Sequence, residues 1–299
     1  MPYIGEVYAL VTACLWSGSS IAFSAATRRI GSIQVNTSRL IMAAVYLTLL
    51  VLIARFDLSL SAKQILYLGT SGFIGFTLGD TFLFRAFQLI GARITMLIMS
   101  LAPAVAALLA RIFLGEELSA SGVFGIILTL TGIGIVVLGR SGDGENHTLI
   151  HHVSRGGLIL AVLAACGQGG GLIFAKMAFQ EGSINGFVAT LVRVLASLLI
   201  LLPASLLSGR YKKPVQVLRN DPKALLYTVL GSIFGPFLGV TGSLMAIQYT
   251  KVGIAATLMA TTPIVMLPLV HFIQKEHLNW RAIAGAFIAT LGVGILFLP

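Results

Sequence analysis

The chain has 299 residues, of which 57% are hydrophobic and only 10% charged, and its mean hydropathy is +0.96. Ordinary soluble domains carry about a quarter charged residues, so this composition excludes a cytosolic enzyme, a secreted disulfide scaffold and a disordered chain. The net charge of +10 reflects 20 Lys and Arg against 10 Asp and Glu, but the cations stand singly between apolar runs with no basic stripe among aromatics. They read as cations at bilayer interfaces rather than as a nucleic-acid surface.

Only helices and closed barrels satisfy their backbone in lipid, and the alternating pattern of a barrel is absent. Apolar runs of about 20 residues predict an all-α polytopic membrane protein with ten transmembrane helices. In chain order they cover 7–25, 35–54, 65–90, 92–114, 121–138, 156–179, 185–207, 224–250, 252–273 and 282–298. The first run has no basic n-region or small-residue cleavage site and is expected to be a retained anchor. Cys14 and Cys166 fall inside apolar runs and are expected to be small buried residues, not a disulfide or metal pair. Only 140–155 and 208–223 are long and polar enough to be loops, and the first divides the chain into units 1–139 and 156–299.

The two units repeat each other. An offset of 160 residues superposes Gly75, Leu78, Gly79, Thr81, Ala86 and Gln88 on Gly235, Leu238, Gly239, Thr241, Ala246 and Gln248. Without a gap the match continues through Met99, Pro103 and Glu116 (Met259, Pro263, Glu276) to Gly125, Gly132 and Leu138 (Gly285, Gly292, Leu298). Apolar composition alone would not select Pro, Glu, Gln and Gly. Shorter offsets pair Arg39 with Arg193 and Ala13-Cys14 with Ala165-Cys166. Five predicted helices separate equivalent positions, and five is odd. The second repeat is therefore expected upside down relative to the first, about a pseudo-two-fold axis in the membrane plane, with a substrate site near mid-bilayer.

These residues resemble the drug/metabolite transporter superfamily, in particular its ten-helix members with two EamA domains. The resemblance rests on the paired Arg39 and Arg193, the Ala-x-Gln before the fourth helix of each half, and the mid-helix Pro103 and Pro263. It also rests on Leu114-Gly115-Glu116, its counterpart Lys275-Glu276, and Trp16-Ser17-Gly18-Ser19-Ser20. It implies export of small organic solutes, amino acids and metabolites first, across an inner or plasma membrane, with no cofactor. Multidrug or cation efflux by the same fold, a non-transporting scaffold or sensor, and an intramembrane enzyme are the alternatives. The acidic residue that couples protons to drug export in four-helix relatives has no counterpart near Gly18. With both repeats in one chain, a monomer suffices.

Asp80 is the one carboxylate well inside an apolar run. At that depth it must face a cation or a cavity, and its repeat partner is Val240. Arg39, Arg93 and Arg85 are candidate partners; Arg39 and Arg193 either snorkel to headgroups or hold a substrate carboxylate in a bidentate fork. Helical spacing puts Trp16, Ser17 and Ser20 on one face, Gln168 on its equivalent, Asp80 and Phe84 on another, and Phe237 and Thr241 on a fourth. Met96, Met99 and Ser100 mark the fourth helix and Met259 the ninth. Such a mixed lining suits a solute with an apolar body and a zwitterionic end. Pro103, Pro263, Gly169 and Gly170 are candidate hinges. His147, His151 and His152 in the central loop lack Cys or acidic ligands in register, so no metal site is expected, and no hydrolase or nucleotide motif is present. Lys and Arg concentrate in the loops opposite the termini, which places the termini outside by the positive-inside rule; the resemblance implies cytosolic termini.

Overall fold

The computed structural model describes residues 3–99, 101–117, 119–139, 154–211, 213–262, 264–265 and 280–296, and every regular element among them is helical. The central-loop histidines, Ser100 and Pro263 lie outside the described residues. The first half comprises α1 (Ile4–Ile30), α2 (Ser32–Ala54), α3 (Ala62–Gly72), a π-helical segment (Phe73–Gly79), α4 (Asp80–Met99), α5 (Ala102–Leu114) and α6 (Ala120–Gly139). The second comprises α7 (Arg155–Gln180), α8 (Gly186–Leu207), α9 (Pro214–Asn220), α10 (Pro222–Ser232), a π segment (Ile233–Phe237), α11 (Leu238–Tyr249), α12 (Val252–Met259) and α13 (Trp280–Leu296). Six helical stretches are long and apolar enough to cross a membrane among the described residues, and Ala102–Leu114 is a shorter apolar helix. Apolar side chains are displayed outward, among them Ile53, Leu199 and Leu207, as a lipid-facing surface requires.

Local chemistry explains the joints. Gly31, at φ 89°, turns α1 into α2 with a single residue, a conformation that L side chains rarely adopt. Ser61 and Gln64 close a capping box at the start of α3. The polar 208–223 stretch is not all loop: it contains α9, and Asp221 caps α10 by accepting from the Ala224 backbone N–H at 3.0 Å.

Two features depart from the predicted segments. The break expected at residue 91 is absent, and the helix runs on to Met99. A glycine inside a helix costs only about 1 kcal/mol, whereas Pro103 has no N–H for the Met99 carbonyl. The interruption therefore falls at Leu101, just before Pro103 at the start of α5. The second half breaks at the equivalent place: α12 ends at Met259, and Ala260 and Thr261 form a turn. The other departure is the pair of π segments, which begin at Phe73 and Ile233, positions related by the 160-residue offset.

The halves interlock reciprocally. The α3–α4 stretch packs on α7, the α10–α11 stretch packs on α1, and α2 meets α8. A Cβ built on Gly132 of α6 would lie 2.3 Å from the Ala289 backbone nitrogen of α13, and one on Gly292 would lie 2.5 Å from that of Thr129. Residues 129 and 289, like 132 and 292, are equivalent under the 160-residue offset, so matching positions of the two helices make the two contacts.

Candidate functional site

A cavity of about 140 Å³ lies where these elements converge, the size class that holds a benzene-sized guest. Trp16, Ser19, Ser20 and Phe23 line it from α1, a run at i, i+3, i+4 and i+7 that forms one helical stripe. Arg39 reaches it from α2, Phe76 from the first π segment, and Asp80, Leu83, Phe84, Phe87 and Met99 from α4. Pro103, Gln168, Leu172, Gly235, Val240, Met259 and Thr262 complete most of the wall. Most of this surface is apolar and aromatic, with polar groups gathered at a few points.

The charged corner is built in layers. Asp80, the first residue after the π segment, forms a buried ion pair with the Nη2 of Arg39. The Arg39 Nε donates to Asn36 Oδ1 at 3.0 Å, and Asn36 Nδ2 donates to Thr81 Oγ1 at 3.2 Å. The same guanidinium lies 5.2 Å from the centroid of Phe23 and 4.8 Å from that of Phe84. Phe84 meets Phe23 and Phe87 edge-on. Arg39 is thus held by a carboxylate, an amide and two ring faces, and those rings also border the cavity.

Arg193, the repeat equivalent of Arg39, has a different environment. Its guanidinium stacks 4.8 Å over Phe76. Its Nε is buried without a hydrogen-bond partner, and no carboxylate lies within ion-pair distance of it among the described residues. Gly72 and Gly75 make room for it: a Cβ on Gly72 would lie 2.2 Å from the Arg193 carbonyl oxygen, and one on Gly75 would lie 3.1 Å from Nη2.

Among the residues expected at the site, Trp16, Ser20, Arg39, Asp80, Phe84, Met99, Pro103, Gln168 and Met259 border the cavity. Ser17 does not. Its hydroxyl donates to the Ala13 carbonyl at 2.7 Å or that of Thr262 at 3.0 Å. Thr241 and Phe237 lie elsewhere too: Thr241 bonds Phe237 O and Thr190 Oγ1, and Phe237 packs among Tyr46 and Phe187. Met96 is part of α4, its side chain outside the description. Arg85 is exposed and pairs with Gln88, not with Asp80. Gly169 and Gly170 sit in the unbroken α7, where Gly169 abuts Val105 and Ala106 and Gly170 abuts Ile74; close approach explains these glycines without any unwinding. Cys14 and Cys166 are free thiols on the exposed sides of α1 and α7, not in the interior. Phe23, Phe76, Phe87 and Asn36 are absent from the residues expected at the site, and Ser19 is expected only as part of the family-like motif, although the α1 stripe through Trp16 and Ser20 points directly to Ser19 and Phe23.

The model of the EamA-like transporter family matches residues 3–138 and again residues 155–298. The chain belongs to the EamA-like transporter family. A protein of Archaeoglobus fulgidus described as an uncharacterized transporter is 24% identical over 290 residues, covering 97% of this chain and 96% of that one. Another so described, from Clostridium kluyveri, is 29% identical over 143 residues, 48% of this chain and 45% of that protein. A solved structure titled only as a crystal structure of a protein superposes with a TM-score of 0.77 at 17% identity, covering 98% of this chain and 95% of that chain, which shows the shared fold. As an EamA-family member the chain is a multi-pass membrane transporter, whose surroundings are the bilayer and whose cargo is a small molecule.

Proposed function

We propose that this EamA-family chain is a secondary transporter that exports small organic solutes, amino acids or related metabolites, by alternating access. Two inverted five-helix repeats would rock about the cavity they share, exposing it to one side and then the other. The observation that carries this reading is the buried Arg39–Asp80 pair set in the wall of an aromatic cavity between the halves. A charged pair at this depth costs stability relative to apolar packing, and its retention beside a cavity is what solute recognition requires. The reciprocal Gly132–Ala289 and Gly292–Thr129 contacts and the π segments at equivalent positions support a two-fold frame. The breaks before Pro103 and after Met259 border the cavity, where they can act as joints; Gly169 and Gly170 supply close α7 packing rather than a joint.

The test is flux. Liposomes that carry the purified protein and are preloaded with labelled small apolar amino acids should release them faster than protein-free liposomes loaded alike, and Asp80→Asn or Arg39→Gln should lower that release. Background release for every amino acid and related metabolite tried would refute the reading.

A further inference from the structure

At the depth of the cavity the protein carries two buried guanidiniums and one buried carboxylate. Arg39 is 5% exposed, Arg193 4% and Asp80 9%. Asp80 pairs with Arg39, and Arg193, stacked on Phe76, lies within electrostatic reach of the same acid without contacting it. Arg39 and Asp80 are the charged side chains that line the cavity among the described residues, and Arg193 lies behind Phe76. The exposed Arg85 is turned to Gln88, and Lys176, half-buried one turn beyond Leu172 on α7, donates to the Ile247 and Thr250 carbonyls. Among the described residues the buried set therefore has a surplus of one positive charge. A guanidinium out of water with no anion is expensive, and a cation–π contact offsets only a small part of that.

We propose that the missing charge is the solute's: the cavity recognises a carboxylate. Arg39, the guanidinium in the cavity wall, docks it in a bidentate manner. Arg193 is a positioning residue, the cation that balances Asp80 once Arg39 is shared with the solute, giving two cations against two anions. The apolar body of the solute lies against Phe84, Phe87, Trp16 and Met259. A cationic solute would raise the existing positive surplus and is excluded, and a zwitterion would leave it unchanged, so within the transport reading the assignment points to net-anionic metabolites. This assignment rests on the transport reading above and adds the charge class of the cargo.

The probes are benzoate and benzylammonium, equal in ring size and opposite in charge, with chloride as the control at matched ionic strength. Binding is read as a ligand-dependent rise in the thermal midpoint of the full chain in detergent, since a ligand that binds only the native state raises its stability. Benzoate should stabilise, and benzylammonium and chloride should not. Arg193→Gln should weaken benzoate binding by about tenfold or more, Arg193→Lys should retain it, and the double variant Arg193→Gln/Asp80→Asn should recover it by restoring the balance. A merely structural Arg193 would not be rescued by removing a carboxylate. Should Arg193→Gln fail to fold, Asp80→Asn alone decides: benzoate must bind more tightly than to the unaltered chain. Stabilisation by benzylammonium or equally by chloride, no shift with benzoate, or an unrescued double variant overturns the assignment. Those results leave the transport reading to the flux assay, whereas benzoate binding without flux supports the charge assignment and counts against transport.

Discussion

Gly132 and Gly134 lie two residues apart on α6, and the packing sets opposite signs for the same substitution. A methyl at Gly132 would sit 2.3 Å from the Ala289 nitrogen and 2.6 Å from the Gly285 carbonyl oxygen. Ordinary contact begins about an ångström farther out, so α6 and α13 must separate by roughly that much along a backbone-to-backbone crossing with no side chain to yield. Overpacking of this kind costs about 1–3 kcal/mol, and the lack of a flexible neighbour favours the upper half of that range. At Gly134 nothing lies within 4 Å of the new Cβ, and Ala there should gain up to about 1 kcal/mol from helix propensity. Gly292→Ala, 2.5 Å from the Thr129 nitrogen, should mimic Gly132→Ala. The double variant should cost less than the sum, because one separation relieves both clashes. Unfolding in mild detergent, titrated with denaturant and followed by tryptophan fluorescence, measures each variant. Equal effects at residues 132 and 134, or strict additivity of 132 and 292, would refute the two-fold crossing.

Three further outcomes follow from the site and its frame. Asp80→Asn leaves two buried guanidiniums with no carboxylate and should cost about 3–5 kcal/mol, whereas Arg39→Gln leaves Asp80 with Arg193 as its nearby cation and should cost clearly less; the order of their thermal midpoints checks this. Pro103→Ala returns an N–H to the turn before α5, so stability should hold or rise while solute flux falls; unchanged flux would remove Pro103 from the proposed joints. Arg29 donates to Asp221 at 2.7 Å, which holds the Asp221 carboxyl below its ordinary range. The stabilisation is therefore present above the ordinary value near 3.8 and lost as pH falls through the lowered one. Asp221→Asn keeps the cap on α10, so its midpoint should lie below that of the unaltered chain at neutral pH and merge with it in acid.

Much of this arrangement was legible in the residues because lipid leaves the backbone few options: helical runs, the repeat register and the buried Asp80 all follow from composition and spacing. Cavity lining was legible in part. Ser17 and Thr241 show why polarity on a helix face is an ambiguous sign. Each hydroxyl reaches the carbonyl four residues back, Ala13 for Ser17 and Phe237 for Thr241, so a Ser or Thr can be satisfied inside its own helix with no cavity nearby. The π segments have no residue signature of their own; an extra residue per turn is decided by what packs alongside, here α7 for the first and α1 for the second. Arg39 as the partner of Asp80 was one of several spacings allowed, and only the α2–α4 crossing selects it over Arg85.

The frame is duplicated and the chemistry is not, and that contrast has an energetic meaning. If the two halves were identical, exchanging their conformations would leave the energy unchanged, and outward and inward states would be equally populated. Any bias between them must then come from positions where the repeats differ. The repeats differ at most positions, and some of those differences stand at the cavity: Asp80 against Val240, Phe84 against Leu244, Phe76 against Pro236. Arg39 has its carboxylate and two rings, while Arg193 has one ring and, among the described residues, no carboxylate in contact. Under the proposed alternating access, the acid and the rings around it contribute to the free-energy difference between the two states. A solute that takes Arg39 from Asp80, as proposed, would act on residues that set part of this difference, which would couple binding to reorientation.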